Sequence, residues 1–198
     1  KNADERLLDM LKEELEVPEE GIYDIDGPLD LTFLMKFNSL KGFENNKYPP
    51  FSPGRSSEFR DDEDMFETIK KKNILLHHPY ESFQHIVDLV ERAANDPEVL
   101  AIKQTLYRVS GKSPIIEALA QAAENGKQVT VLVELKARFD EENNIIWAKR
   151  LERAGCHVIY GLVGLKTHCK ILLIVRREED GIKRYVHLGT GNYNDVTA

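Results

Sequence analysis

The sequence predicts an α/β domain whose sheet is largely parallel and flanked by helices. Three observations carry that prediction. Short apolar stretches rich in β-branched residues recur from residue 98 onwards, amphipathic helical stretches separate them, and Gly126 and Gly155 fall where two of those helices must stop. Strand, helix, strand, helix, strand with crossovers of this length fits a right-handed parallel arrangement.

The elements follow in order. Leu7, Leu8, Leu11 and Leu15 recur at helical spacing and predict an amphipathic helix over 5–16. Gly21 and Gly27-Pro28 interrupt the chain next, before a second helical stretch over 29–39. The segment 42–60 (GFENNKYPPFSPGRSSEFR) has prolines and a glycine at its centre and predicts a long irregular connection. Residues 61–72 are strongly charged, end in three lysines and suit a short helix. A domain boundary is expected near residue 72, giving segments 1–72 and 73–198. Ile74-Leu75-Leu76 suits a short strand, and 82–95 a helix with Phe83, Ile86, Val87 and Val90 on one face. Residues 98–107 (EVLAIKQTLY) predict a strand, and 114–125 a helix opened by Pro114 in its first turn. Residues 128–135 (QVTVLVEL) predict another strand, 140–154 a helix and 156–160 a strand. Stretches 168–176 and 182–189 predict an antiparallel pair joined around Glu178-Glu179-Asp180-Gly181. Near-continuous apolar strands also predict a sheet covered on both faces.

Composition narrows the class. Hydrophobic residues at 41% and charged residues at 31% exclude collagen-like, low-complexity and wholly disordered chains. No window holds the roughly 20 apolar residues of a membrane helix, which leaves a peripheral membrane contact open. Two cysteines, Cys156 and Cys169, match no disulfide framework or metal spacing, so a reducing, cytoplasmic setting is expected. The missing initiator Met, and an end inside the run Asn194 to Ala198, suggest a piece of a longer protein. The net charge of -7 is unevenly spread. Residues 1–72 hold 11 Lys+Arg against 18 Asp+Glu, whereas residues 73–198 hold 16 against 16, so a local basic cleft is compatible with the later part.

Ligands of open α/β sheets bind beyond the C-terminal ends of the strands. The strand over 98–107 runs out into Arg108, and the strand over 128–135 into Lys136 and Arg138. Arg108, Arg138 and His168 follow one another at 30-residue steps, about one βα unit each, which places two guanidiniums and an imidazole at one rim. Guanidinium forks match phosphate oxygens bidentately. Surface ion pairs of the arginines with Asp140, Glu141 or Glu142 are the plainer alternative. On a strand, His168 and Lys170 would project together, the imidazole as a nucleophile toward phosphorus and the ammonium stabilising charge on the transferring oxygens. The later strand ends in His187-Leu188-Gly189-Thr190-Gly191-Asn192-Tyr193-Asn194. Glycines there admit a phosphate close to backbone N–H groups, and Asn192 or Asn194 could fix the His168 tautomer. His77 and His78 alternate faces and are expected to be structural, while Tyr193 could stack or hydrogen-bond.

An H-x-K on a strand followed by a hairpin and G-x-G-N resembles half of a phospholipase-D-type site. Longer strings are more particular: 77–83 (HHPYESF), 102–108 (IKQTLYR), 134–141 (ELKARFDE), 164–170 (GLKTHCK) and 187–194 (HLGTGNYN) resemble bacterial polyphosphate kinase. Residues 23–31 (YDIDGPLDL) resemble the end of that family's head domain. The resemblance therefore spans nearly the whole chain. It implies a phospholipase-D-like sheet over 73–198, preceded by a partial α+β head-domain remnant over 1–72.

The resemblance also implies reversible transfer of the ATP γ-phosphate to inorganic polyphosphate with Mg²⁺, through a phosphohistidine at His168. Arg108 and Arg138 match positions the family uses around phosphate and magnesium. A guanidinium cannot ligate Mg²⁺, so they would act through phosphate oxygens, with Asn192 and Asn194 as further substrate contacts. The electrostatic part given to Lys170 belongs to the residue reading, not to the resemblance. Expected partners are ATP/ADP and polyphosphate, not nucleic acid, with a homo-oligomer as the intact enzyme. A second histidine and further ATP contacts would come from outside these residues. Phospholipase-D-like motifs carry an Asp five residues after the Lys, and Val175 stands there, which disfavours the alternative of a phosphodiesterase. A non-catalytic polyanion-binding role is the remaining alternative.

Overall fold

The computed structural model describes residues 4–49, 51–60, 63–109, 113–134, 141–161 and 164–195. It divides into two compact units, residues 1–51 and 52–198. The first holds helix α1 (Glu5–Leu15), whose N-terminus is capped by the Asp4 carboxylate accepting from the Arg6 N–H at 2.9 Å. The helical stretch expected over 29–39 is a 3₁₀ helix, Thr32–Ser39, and shorter 3₁₀ turns cover Glu19–Gly21 and Glu44–Asn46. None of its described residues is buried.

The second unit begins well before the expected boundary at residue 72. Gly54 pairs with the 80–82 segment, its N–H donating to the Tyr80 carbonyl and its carbonyl accepting from Ser82. The Ser56 N–H donates to Nε2 of buried His85 at 3.0 Å, an acceptor available only on a neutral ring, and burial holds that imidazole below its ordinary value. Helix α2 (Met65–Lys71), capped by Asp64, buries Met65 and Phe66 in the same core as the sheet. The boundary moves for that reason: charge runs marked the surface of α2, while its two apolar residues decide where it packs.

Helices α3 (Gln84–Asn95), α4 (Pro114–Glu124) and α5 (Glu141–Arg153) alternate with strands β1 (Val99–Leu106), β2 (Gln128–Val133) and β3 (His157–Tyr160). Strands β4 (Lys170–Glu178) and β5 (Gly181–Gly189) form a hairpin turning at Glu179-Asp180. The strand order is β3-β2-β1-β4-β5. The β3-β2-β1 half is parallel, and the hairpin joins β1 antiparallel through β4. Gly126 and Gly155, at φ 83° and 94°, follow α4 and α5 where the chain leaves the helix left-handed. Ile74-Leu75-Leu76 is not a strand but an irregular connection into α3.

One face of the sheet carries the core. Ile102, Val129, Val131, Val133, Leu172, Ile174 and Tyr185 pack there against Ile86, Val90, Ile115, Leu119 and Leu151 from the helices. The expectation of cover on both faces is not met among the described residues. Thr130, Leu132, Ile171, Leu173 and Val175 on the opposite face are half-exposed, and Val186 and Leu188 are 54% and 72% exposed. In the hairpin, buried Tyr185 alternates with exposed Arg184 and Val186, the pattern of a one-sided antiparallel ribbon.

An ionic network fastens α2 to the hairpin. The Glu178 carboxylate accepts from the Tyr185 hydroxyl at 2.6 Å, Arg176 Nη1 at 2.5 Å and Lys70 Nζ at 3.1 Å, while Arg176 Nε donates to Asp96 at 2.8 Å. Its donors, the tyrosine hydroxyl first, hold Glu178 down to about 2. Phe66 lies edge-on to Tyr185 and under the Arg176 guanidinium, with centroid distances of 4.8 and 5.1 Å.

Candidate active site

The C-terminal ends of β1 and β2 and the entry to β4 meet at one rim, because β4 runs antiparallel to β1. His168 stands at that entry, exposed, two residues before β4 begins, and not on the strand itself. Its backbone is held by side chains from two other strands and from its own. The Thr167 N–H donates to Glu134 Oε2 at 2.8 Å, and Glu134 is only 4% exposed at the end of β2. The Thr105 hydroxyl donates to the Cys169 carbonyl at 2.8 Å and accepts from the Ile171 N–H at 3.0 Å. It thereby supplies a ladder-like link beyond Gln104↔Leu172, the last β1–β4 pair. Lys170 Nζ donates to the His168 carbonyl at 2.6 Å.

From β1 the chain delivers Tyr107 and Arg108. The Tyr107 ring stands edge-on to the His168 imidazole at 5.7 Å and 73°. Around the same ring sit Lys166 Nζ at 5.3 Å, Lys170 Nζ at 5.4 Å and the Arg108 guanidinium carbon at 5.7 Å. Buried Asn144 of α5 ties the two strand ends together, its amide donating to the carbonyls of Tyr107 at 2.8 Å and Glu134 at 3.0 Å. Three cations, an exposed imidazole and a fixed backbone form a site suited to a polyanion.

Several expectations meet here and others do not. Arg108, His168 and Lys170 converge as the sequence implied. Lys170, however, is 5% exposed and turns its ammonium onto the His168 carbonyl instead of projecting from a strand beside the imidazole. Arg138 lies outside the described residues. The 189–193 loop does return to this end of the sheet, since Gly189 is the register partner of Lys170. A Cβ on Gly189 would come within 3.3 Å of His187 and 3.4 Å of the Gly191 carbonyl, a closeness glycine alone accepts without a shift.

The imidazole this loop engages is that of His187, whose Nδ1 lies 2.8 Å from the hydroxyl of buried Tyr193. Burial first, and then the neighbouring His78, push His187 down to about 4. Asn192 Oδ1 is buried without a hydrogen-bond partner among the described residues, and Asn194 donates its backbone N–H to the Asn192 carbonyl at 2.8 Å. A groove of about 780 Å³ runs from this loop along β5 to Leu75, His78 and Phe83. His77 and His78 are spent locally: His77 on the Tyr80 ring at 4.9 Å, His78 on the Glu81 carbonyl at 2.8 Å and the Phe83 ring at 5.5 Å.

Sequence reasoning did not single out Thr105, Tyr107, Glu134, Asn144 or Lys166. A carboxylate closing the apolar run QVTVLV was the available signal for Glu134, and the period-two run Lys-x-His-x-Lys that for Lys166. Tyr107 and Asn144 had none.

Fold and site together define an α/β domain that presents a histidine within a cationic rim. Residues 64–198 match the family described as polyphosphate kinase C-terminal domain 1, and the chain belongs to the polyphosphate kinase family. It is similar to a polyphosphate kinase of Bacillus anthracis, with 62% identity over 199 residues that cover 100% of this chain and 28% of the relative. One of Streptomyces coelicolor is 54% identical over 203 residues, covering 100% and 27%. Polyphosphate kinase from Porphyromonas gingivalis, known as a crystal structure, aligns at a TM-score of 0.70 and 35% identity, over 92% of this chain and 31% of that chain. The chain thus spans a little over a quarter of the curated relatives it matches.

Proposed function

We propose that this chain supplies the phosphohistidine part of a site that reversibly transfers the γ-phosphate of ATP to the end of an inorganic polyphosphate chain. The observation that carries the reading is the exposed His168 imidazole, set edge-on to Tyr107 inside a ring of Arg108, Lys166 and Lys170. Membership of the polyphosphate kinase family supports it.

In this reading a ring nitrogen of His168 attacks the γ-phosphorus, the bond to the β-phosphate oxygen breaks and ADP leaves with that electron pair. The terminal oxygen of a polyphosphate then attacks the phosphoryl group, the P–N bond breaks and the imidazole is restored. Arg108 holds the equatorial oxygens whose charge persists through both steps, and the Lys170 ammonium, bonded to the His168 carbonyl, adds its positive field. Glu134 and Thr105 hold the backbone, so the attacking ring is placed without being bonded itself.

The donor set of this rim is guanidinium and ammonium. It fits phosphate oxygens and not a metal directly, so Mg²⁺ enters as part of the ATP substrate. Among the described residues no group of three His, Cys, Asp or Glu is placed to hold a metal.

ATP labelled on its γ-phosphate tests the reading. A full-length polyphosphate kinase that contains these residues is expected to take up acid-labile, alkali-stable label that His168→Gln abolishes. Label that survives this substitution would place the nucleophile elsewhere and overturn the reading.

A further inference from the structure

Lys166 lies outside the H-x-K pattern, yet it belongs to the same construction. Residues 166, 168 and 170 alternate along the entry to β4, and all three side chains meet the single ring of Tyr107, at 5.3, 5.7 and 5.4 Å. Thr167 and Cys169 between them are tied down through backbone groups, to Glu134 and Thr105. The segment therefore brings cation, imidazole and cation to one ring, the Lys170 ammonium bonded to the His168 carbonyl.

Like charges do not gather without compensation. Two ammoniums approach one aromatic ring, whose negative face offsets part of their mutual repulsion. Among the described residues neither lysine is in an ion pair, and Lys170 satisfies its ammonium on a neutral carbonyl. Lys166 is exposed and Lys170 is buried, so Lys166 is the ammonium that a solvent-borne ligand reaches. The two ammoniums lie 5.3 and 5.4 Å from one ring centroid, and Lys170 is already satisfied by the His168 carbonyl, so a phosphate seated beside His168 and Arg108 leaves Lys166 to meet the next phosphate of the chain.

We infer that Lys166 is a further substrate-binding residue, holding the phosphate chain on the far side of His168 from Lys170, with Tyr107 as its positioning residue. The inference rests on the proposed phosphoryl transfer and assigns a second phosphate seat within it. The shared ligand chemistry is a linear phosphoanhydride, from polyphosphate or from the nucleotide.

The test measures equilibrium binding of inorganic polyphosphate and, separately, of ATP to the chain, over a range of salt. Lys166→Ala is expected to weaken phosphoanhydride binding about tenfold, the loss of one charge-assisted contact. It should also make the salt dependence shallower by roughly one phosphate contact. Lys166→Arg is expected to keep both, as is Lys149→Ala, which removes an exposed lysine of α5. Tyr107→Phe retains the ring and should bind as the unaltered chain does, whereas Tyr107→Leu should lose affinity and salt slope.

A loss confined to polyphosphate assigns Lys166 to the chain substrate, and a loss confined to ATP assigns it to the nucleotide phosphates. If Lys166→Ala binds both probes with unchanged affinity and slope, the inference is wrong, while phosphohistidine formation at His168 still stands on its own label. If the unaltered chain binds neither probe, the inference falls together with the reading it rests on.

Discussion

Acidification from neutral pH to about 4 is expected to cost the second unit ~3 kcal/mol through His187. The perturbation is protonation of a buried imidazole. In the native state burial, and next the nearby His78, hold His187 down to about 4, and the Tyr193 hydroxyl occupies its Nδ1 at 2.8 Å. An unfolded chain would titrate this residue near 6.5. As pH falls below about 6.5 the unfolded state takes up the proton while the native state does not, so stability declines. The decline continues until the native ring also titrates near 4, and then levels off. Linkage at about 1.4 kcal/mol for each pH unit between the two values gives the magnitude, a large fraction of a total of roughly 5–15 kcal/mol. Urea unfolding at several pH values between 7 and 4 reads it, with His187→Phe as the comparison. The phenyl ring forfeits the Tyr193 hydrogen bond at every pH, so its absolute stability is not the readout. The informative quantity is the difference between the two proteins, in which the other titrating groups cancel. That difference should shrink by ~3 kcal/mol as the pH is lowered. Parallel loss of stability in both proteins would refute the reasoning.

Two other substitutions probe the frame beneath the site. Asn144→Leu leaves the buried carbonyls of Tyr107 and Glu134 without their shared donor, and a loss of about 2–3 kcal/mol is expected in denaturant unfolding. Because the carbonyl of Tyr107 itself is released, polyphosphate affinity should fall as well. Glu178→Ala removes the common acceptor of Tyr185, Arg176 and Lys70 and leaves the half-buried guanidinium over Phe66 with Asp96 as its remaining carboxylate. A cost of about 2 kcal/mol at pH 7 is expected, measured by thermal unfolding, with little change in phosphate binding because the network lies at the other end of β4 from His168.

Much of the fold was legible because its elements announce themselves by period and by punctuation. The helices α3 and α4 and the strands β1, β2 and β5 fall within a residue or two of their expected bounds. What periodicity could not convey was which elements share a core. Met65 and Phe66 sit in a charged run whose short helix is expected ahead of the boundary at residue 72, and only their burial beneath the hairpin places α2 in the second unit. The half-exposed strand face misled for a related reason: Ile171, Leu173 and Val175 are as apolar as residues packed on both sides. At the site, charged residues at strand ends could be found from the sequence, and Arg108, His168 and Lys170 do converge. Tyr107 was not legible as their common neighbour, since a tyrosine after an apolar strand has many uses and only the antiparallel entry of β4 decides this one. The geometry of Lys170 was likewise beyond reach, because a bond to the carbonyl two residues back leaves no trace in spacing.

The tethers around His168 grip the main chain and make no use of the Thr167 and Cys169 side chains: the N–H of Thr167, the carbonyls of His168 and Cys169 and the N–H of Ile171. Every amino acid but proline brings those same groups. The identities at 167 and 169 are therefore at liberty to drift, or to be rewritten by an engineer, without moving the histidine between them. Changes at Thr105 or Glu134, distant in sequence and silent in the chemistry, would shift it.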